Sequence, residues 1–380
     1  MPPDLRILHV ITGLNPGGAE LMLCRLVGTL GEMGVSSAVC TLTGVGEVGK
    51  LLQERGTTVY SVDMRKHRLG AVSSLRGIIG RDGPNVLHTW LYHADLLGGI
   101  AARKYPGVAV VWSLRNSRLR HKFSTRVVAK LCALFSNRLP KLIVACAQSA
   151  KREHVSQGYP EDRIEVIPNG FDTDRFYPNP ERGLEIRHEL GISEDAVVFG
   201  LVGRYDPHKD QKGFVEAVSQ YVDSRPRANT VFLLCGWQMD QTNSEIMELI
   251  RSRRLGDRIV LAGARSNIED FYQAFDVAVS SSISEGFSNV IGEAMACGKP
   301  CIVTDVGDSR RLLNGAGLVV GPGNPSEMAR AIAQMSSTPE NERRRLGFIG
   351  KANIENNYSL PGIAERYVEL YHRALALCAA

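Results

Sequence analysis

Two successive series of short apolar runs, each run followed by a helical pattern, constrain this chain more than any other feature. Runs at 6–12, 37–43, 57–62, 85–90, 108–114, 141–147 and 163–167 form the first series. Runs at 197–202, 230–235, 258–262, 275–280, 300–304 and 317–320 form the second. A short run that stays apolar without alternating reads as a strand buried on both faces. Strands separated by helices cannot pair as hairpins, so they pair in parallel, with helices over both faces of the sheet. A chain of 380 residues is comfortable as two such domains. Between the series, IPNGFDTDRFYPNPERG (167–183) is rich in proline and glycine and reads as a hinge. The expected division is 1–175, 176–358 and a closing amphipathic helix over 359–380.

Composition narrows the class. Apolar content of 44% with charged content of 22% is ordinary for a soluble globular protein. The eight cysteines are scattered through apolar patterns, and Cys297 and Cys301 have no second pair to complete a zinc site. Reduced thiols in a cytoplasmic protein without structural metal are expected. MPPDLR is not a signal peptide, and no run approaches the roughly 18–20 apolar residues of a membrane span.

The chemistry concentrates in SSISEGFSNVIGEAMACGKP (281–300). Serines and Gly286 make a loop, small apolar residues over Val290–Ala296 make a buried helix, and Gly298 with Pro300 stops it. The helix therefore starts near Ser288–Asn289. Its first N–H groups lack partners and sit at the positive end of the macrodipole, which suits an anion. Glu293 lies one turn inside, where a carboxylate can accept from a vicinal diol. Glu285 stands at the mouth. A serine-rich loop entering a helix is also common without any ligand.

Two further segments bear on that reading. In VVFGLVGRYDPHKDQKG (197–213), a buried strand ends at Gly203, and Arg204 and Lys209 follow in the loop. Cations after a parallel strand project toward the crevice where open α/β sheets bind ligands, and both types grip phosphate. Near the start, strand RILHVIT, turn GLNPGG and helix AELMLCRLVGTL place Gly17 and Gly18 at a helix N-terminus. The spacing is not the GxGxxG dinucleotide fingerprint.

These segments, in this order and with IPNGFDTDRF (167–176), resemble the retaining glycosyltransferases of family four, which have the GT-B fold. The resemblance covers nearly the whole chain. It implies two Rossmann-like, doubly wound parallel-sheet domains facing a cleft, with the C-terminal helix crossing back to the first. It implies that Arg204 and Lys209 grip the diphosphate of a nucleotide-sugar, most simply a UDP-sugar. The backbone over Gly286, Phe287, Ser288, Asn289 and Val290 would touch the same group, with Gly17 and Gly18 nearby. Glu293 would hold the ribose, and Glu285 would face the donor sugar. No metal on the diphosphate and no bound cofactor are expected. A sugar-nucleotide epimerase of the same architecture, or a non-catalytic nucleotide-sugar binder, stays open.

The acceptor side is expected in the first domain. NVLHTWLYHADLLGG (85–99) carries His88, His93 and Asp95 around a strand–helix junction. His93 is the better functional candidate, with Asp95, Arg115 and Asn116 on the same rim. Many relatives carry His where Trp90 stands, which unsettles a direct carry-over.

Charge adds a partner. From Leu96 to Arg152 there are twelve Lys or Arg and no Asp or Glu, although the net charge is only +5. A helix from Ser124 would carry Arg126, Lys130 and Arg138 beside Val127, Val128, Leu131, Leu134 and Phe135. The stretch 115–141 suits an anionic membrane surface or lipid-linked acceptor. It also suits a core-facing helix with a solvated basic face. Nucleic acid is not expected, since no aromatic residues interleave the cations.

Overall fold

The computed structural model describes residues 4–64, 70–115 and 123–379. These form two compact units: unit 1 runs to Gly170 and resumes at Leu360, and unit 2 is Phe171–Ser359. The division thus falls at 170/171, not at 175/176. The reason is local packing. The Phe171 N–H donates to the Tyr358 carbonyl (2.8 Å), and Phe171 and Phe176 both lie in the unit 2 core. Farther on, Gln273 accepts from the Asn179 N–H (2.8 Å) and donates to the Tyr177 carbonyl (2.9 Å). Most of the segment read as a hinge is therefore fastened to unit 2.

Unit 1 holds β1 (Arg6–Ile11), β2 (Ser36–Thr41), β3 (Thr58–Ser61), β4 (Val86–Trp90), β5 (Ala109–Leu114), β6 (Leu142–Ala145) and β7 (Ile164–Val166). They pair in parallel in the order β3-β2-β1-β4-β5-β6-β7. Unit 2 holds β8 (Val197–Val202), β9 (Thr230–Cys235), β10 (Ile259–Leu261), β11 (Val277–Ser280), β12 (Cys301–Thr304) and β13 (Gly317–Val320). Its order is β10-β9-β8-β11-β12-β13, again all parallel. Each sheet reverses its winding once, between β1 and β4 in unit 1 and between β8 and β11 in unit 2. The loops that leave those strands diverge and open a crevice at their carboxyl ends.

The C-terminal helix Leu360–Ala379 completes unit 1. Ile363, Ala364, Tyr367, Leu370, Tyr371 and Ala374 enter the same apolar cluster as Ile7, Ile11, Val86 and Val111. A polar cluster is sealed beneath it. His9 on β1 and His88 on β4 are register partners, and both are fully buried. His88 Nδ1 and the Tyr371 hydroxyl share a hydrogen bond of 2.8 Å. Trp90 Nε1 donates to His9 Nδ1 at 3.3 Å, so His9 must be neutral, with its proton on Nε2. Arg115 stacks on Trp90 at 4.1 Å. Its fork donates to Ser113 Oγ (2.9 Å), Asn169 Oδ1 (2.9 Å) and the Tyr367 hydroxyl (2.6 Å).

Burial pushes His9 down to about 3. Burial, then the neighbouring His9 and Arg115, push His88 well below its usual range. The unfolded chain takes up these protons near pH 6.5, while the folded chain refuses them. Stability from this pair is therefore complete above pH 6.5 and is lost as pH falls toward 3. For His9 the cost at pH 5 is about 2 kcal/mol, and His88 adds to it in the same direction. Urea unfolding of unit 1 should show a midpoint that drops between pH 7 and pH 5. An unchanged midpoint would mean that the rings take up protons in the fold.

Candidate functional site

The crevice at the β8/β11 reversal of unit 2 gathers most of the groups singled out from sequence. Gly203 ends β8, and Arg204 follows with its side chain 60% exposed. Its Nε and Nη2 both lie 3.1 Å from Asp206 Oδ2. Burial works against charge on Asp206, but the His208 N–H and the Arg204 guanidinium hold its carboxyl below the usual range. Gln211, buried at the start of helix Gln211–Ser224, donates to the Arg204 carbonyl at 2.7 Å and fixes the loop from beneath.

Lys209 reaches across the crevice. Its Nζ lies 2.5 Å from Glu285 Oε1, and Ser282 Oγ donates to that same oxygen at 2.8 Å. Two backbone links hold the loops in register: Ser281 Oγ to the Lys209 carbonyl (2.7 Å) and the Ile283 N–H to the His208 carbonyl (2.8 Å). Thr304 Oγ1, at the end of β12, donates to the Ser282 carbonyl at 2.6 Å. Lys209 and Ser282 also border a shallow depression with Val202, Ser280 and Val290.

Helix Asn289–Ala296 points its N-terminus at the same place. Ser288 is the N-cap, in extended geometry, yet its hydroxyl makes no capping bond. Ser288 is 2% exposed, and its Oγ has no hydrogen-bond partner. A buried, unsatisfied hydroxyl at the N-terminus of a helix is a costly arrangement that a bound anion would relieve. Glu293 is 7% exposed one turn inside, and the Tyr272 hydroxyl donates to its Oε2 at 3.0 Å. Burial, reinforced by the Glu293 charge and that hydrogen bond, pushes the Tyr272 phenol far up, so it stays a donor. Phe287 packs on Phe171 (6.1 Å) and Tyr358 (5.9 Å). Gly292 is required there: a Cβ would sit 1.9 Å from the Phe171 ring. The Gly286 carbonyl accepts from the Asp308 N–H at 3.3 Å.

Sequence reasoning missed Tyr272, Ser282 and Asp206. Ser282 and Asp206 sit beside residues already singled out, so their neighbourhood was a signal. Tyr272 comes from helix Ile268–Gln273, and nothing in its local pattern marks it. One correction concerns metal-type spacing. Asp172-Thr173-Asp174 is an Asp-x-Asp sequence, a spacing that the expectation of no metal on the diphosphate did not weigh. In the structure Asp172 Oδ1 accepts from the backbone N–H groups of Asp174 (3.1 Å) and Arg175 (3.0 Å), closing a turn. Among the described residues no group of three or more His, Cys, Asp or Glu is arranged to hold a metal ion.

In unit 1, Gly17 is the N-cap of helix Gly18–Glu32, and Glu20 lies in its first turn. His93 lies in the first turn of helix Tyr92–Ala102, half-buried. The preceding Leu91 has φ 73° and ψ 151°, a strained region for a branched residue. Such strain concentrates at functional junctions. Asp95 is not on a rim. It is fully buried, accepts from Thr89 Oγ1 at 2.5 Å, and is pushed well up by burial. Arg115 is likewise taken up by the packing described above. Both were selected because they follow strand ends, but tertiary packing turns them inward. Asn116, with Arg118, Arg120 and Lys122, lies outside the described residues.

Comparison with known proteins agrees with this architecture. Residues 16–175 match the family described as Glycosyltransferase Family 4, and residues 196–338 match Glycosyl transferases group 1. A Bacillus subtilis protein named as a glycosyltransferase, EpsF, is 28% identical over 79% of this chain and 79% of its own length. The UDP-Gal:alpha-D-GlcNAc-diphosphoundecaprenol alpha-1,3-galactosyltransferase of Escherichia coli is 27% identical over 63% of this chain and 62% of its own. The crystal structure of Anabaena HepE in complex with UDP superimposes with a TM-score of 0.85, at 22% identity, over 96% of this chain and 99% of that one. The fold is GT-B, and the chain belongs to the family-four glycosyltransferases.

Ser288→Ala tests the anion site without any ligand. Removing a working N-cap costs about 1 kcal/mol, or about 2–4 °C for a domain of this size. Here the hydroxyl caps nothing, so the thermal midpoint of the unliganded protein should hold or rise. A drop of that size would show that Ser288 serves the helix alone.

Proposed function

We propose that the chain transfers a sugar from a UDP-sugar, with retention of anomeric configuration, to a glycan or lipid-linked acceptor of envelope or polysaccharide synthesis. The observation that carries this is the buried, unpartnered Ser288 hydroxyl at an uncapped helix N-terminus, flanked by Arg204 and Lys209 and followed by Glu293. That set matches a diphosphate joined to a ribose. UDP as the nucleotide rests on the solved Anabaena relative. A lipid-linked acceptor rests on the Escherichia coli relative.

Arg204 and Lys209 are held by Asp206 and Glu285 in the unliganded protein. On donor binding the diphosphate replaces those carboxylates. As the sugar C1–oxygen bond breaks, negative charge grows on the departing diphosphate. Arg204, Lys209 and the N–H groups over Gly286, Phe287, Ser288, Asn289 and Val290 meet it without rearranging. The acceptor oxygen bonds to C1 on the same face, and its proton passes to the departing diphosphate oxygen. Glu285, released from Lys209, orients a sugar hydroxyl. Its Oε1 already accepts from two donors, which suits positioning more than nucleophilic attack. Tyr272 turns Glu293 toward the ribose. In unit 1, Gly17 and Gly18 let backbone approach a ligand at their helix N-terminus, and His93 orients the acceptor. The reaction needs no metal, since cationic side chains and the helix supply the positive charge. Under this reading the protein works in the cytoplasm. Among the described residues no helix is long and apolar enough to cross a membrane.

Binding has a built-in reporter. Trp90 and Trp112 are fully buried, whereas Trp237 is 60% exposed, with its carbonyl 2.9 Å from the Tyr205 N–H beside Arg204. UDP should therefore alter exposed-tryptophan fluorescence. Glu293→Ala should weaken UDP binding by about 10–100-fold, the loss of one charge-assisted hydrogen bond of about 1.5–3 kcal/mol. Tyr272→Phe should weaken it less. Arg204→Ala and Lys209→Ala should lower turnover by ~10²-fold or more, and chelator should leave wild-type turnover unchanged. Undiminished UDP affinity in Glu293→Ala would remove that residue from the site. A product with inverted configuration would end the retaining mechanism.

A further inference from the structure

We infer that the outer face of helix Phe123–Phe135 in unit 1 is a docking face for an anionic lipid bilayer. The helix has two apolar faces, and only one is used by the fold. Ala129 and Cys132 turn inward, at 2% and 0% exposure, and Cys132 Sγ donates to the Tyr92 carbonyl at 3.3 Å. Val127, Leu131 and Leu134 turn outward, at 44%, 38% and 70% exposure. Their spacing of i, i+4 and i+7 sets them in one line along the helix. Of the two readings open from sequence, the one in which these residues face the core does not hold for Val127, Leu131 and Leu134: the core takes the opposite side.

A single exposed leucine needs no explanation, but a continuous apolar ridge marks a contact surface. The charges around this ridge say which kind. Arg126 and Lys130 on the helix, and Arg138 just beyond it, are all exposed. Arg163 joins them at the helix end, donating to the Asn137 carbonyl at 2.8 Å. No acidic residue occurs anywhere from Leu96 to Arg152. A protein partner of ordinary surface would be met by mixed charge around an apolar centre. An apolar ridge accompanied by the exposed Arg126, Lys130 and Arg138 matches the layered chemistry of a bilayer, with hydrocarbon inside and phosphate at the rim. The inference is independent of the donor site and deepens the reading of a lipid-linked acceptor, whose anchor lies in such a surface.

Co-sedimentation of the full chain with vesicles tests it. Vesicles carrying anionic phospholipid should bind the protein at low salt, and neutral vesicles should not. Raising the salt should release it, because the attraction is screened within a Debye length. Arg126→Ser/Lys130→Ser/Arg138→Ser should lose about fivefold per cation, roughly a hundredfold if the effects add. Val127→Ser/Leu131→Ser/Leu134→Ser should lose binding to anionic vesicles while keeping its thermal midpoint. Should that variant unfold, Leu134→Ser alone, at the most exposed position, decides the point. UDP affinity should be unchanged in every variant. Wild type that ignores anionic vesicles at low salt overturns the inference, as does equal binding to neutral vesicles. Light scattering can overturn it by another route: a wild-type dimer that the ridge variant dissociates would make this face an interface between copies of the chain.

Discussion

A parallel sheet that reverses its winding has one place where its loops part, and the chemistry of unit 2 depends on that place. β8 and β11 are hydrogen-bonded neighbours, but their chains leave in opposite directions along the sheet edge. The loop after β8 brings Arg204 and Lys209, and the loop after β11 brings Glu285 and the N-terminus of helix Asn289–Ala296. Without the reversal these loops would cover each other. With it they stand apart, stitched by Ser281, Ile283 and the Lys209–Glu285 pair.

That stitching explains how two cations can be held in one crevice. Partly buried cations are costly unless paired, and here each has a carboxylate within contact distance. The partners are not equivalent. Arg204 is mostly exposed and its bond to Asp206 is local to the loop, so it contributes little to stability. Lys209 and Glu285 are more enclosed and join two loops, so their pairing sets the width of the crevice. Exchange of carboxylate for diphosphate keeps the positive groups in position. Ser288 is different in kind: its hydroxyl has no partner to exchange, and the fold carries that cost unrelieved.

Unit 1 uses its polar groups differently. His9, His88, Trp90, Arg115, Tyr367 and Tyr371 form a sealed network between the sheet and the C-terminal helix. Such a network specifies one docking position for the helix, because any slip would strand several buried polar atoms. It also accounts for Trp90. An indole here reaches His9 and supports Arg115, a role that is structural throughout.

The thirteen strands, their grouping into two series and the start of the helix near Ser288 were all legible in the sequence. Each follows from local pattern: apolar runs, turn residues and stop signals need no partner to be recognised. Arg204, Lys209 and Glu293 were legible too, because their positions relative to a strand end or helix start fix where they project. What the sequence could not decide is which groups would meet. Asp95 and Arg115 follow strand ends as Arg204 does, yet packing against Thr89 and Tyr367 turns them inward. Tyr272 reaches Glu293 from 21 residues away, and no local pattern encodes that distance. Val127, Leu131 and Leu134 have the same periodicity as a core face. Only tertiary structure, by giving the core to Ala129 and Cys132 instead, shows that they point to solvent. Periodicity fixes which residues share a side of a helix, but the inward side is settled by what packs there.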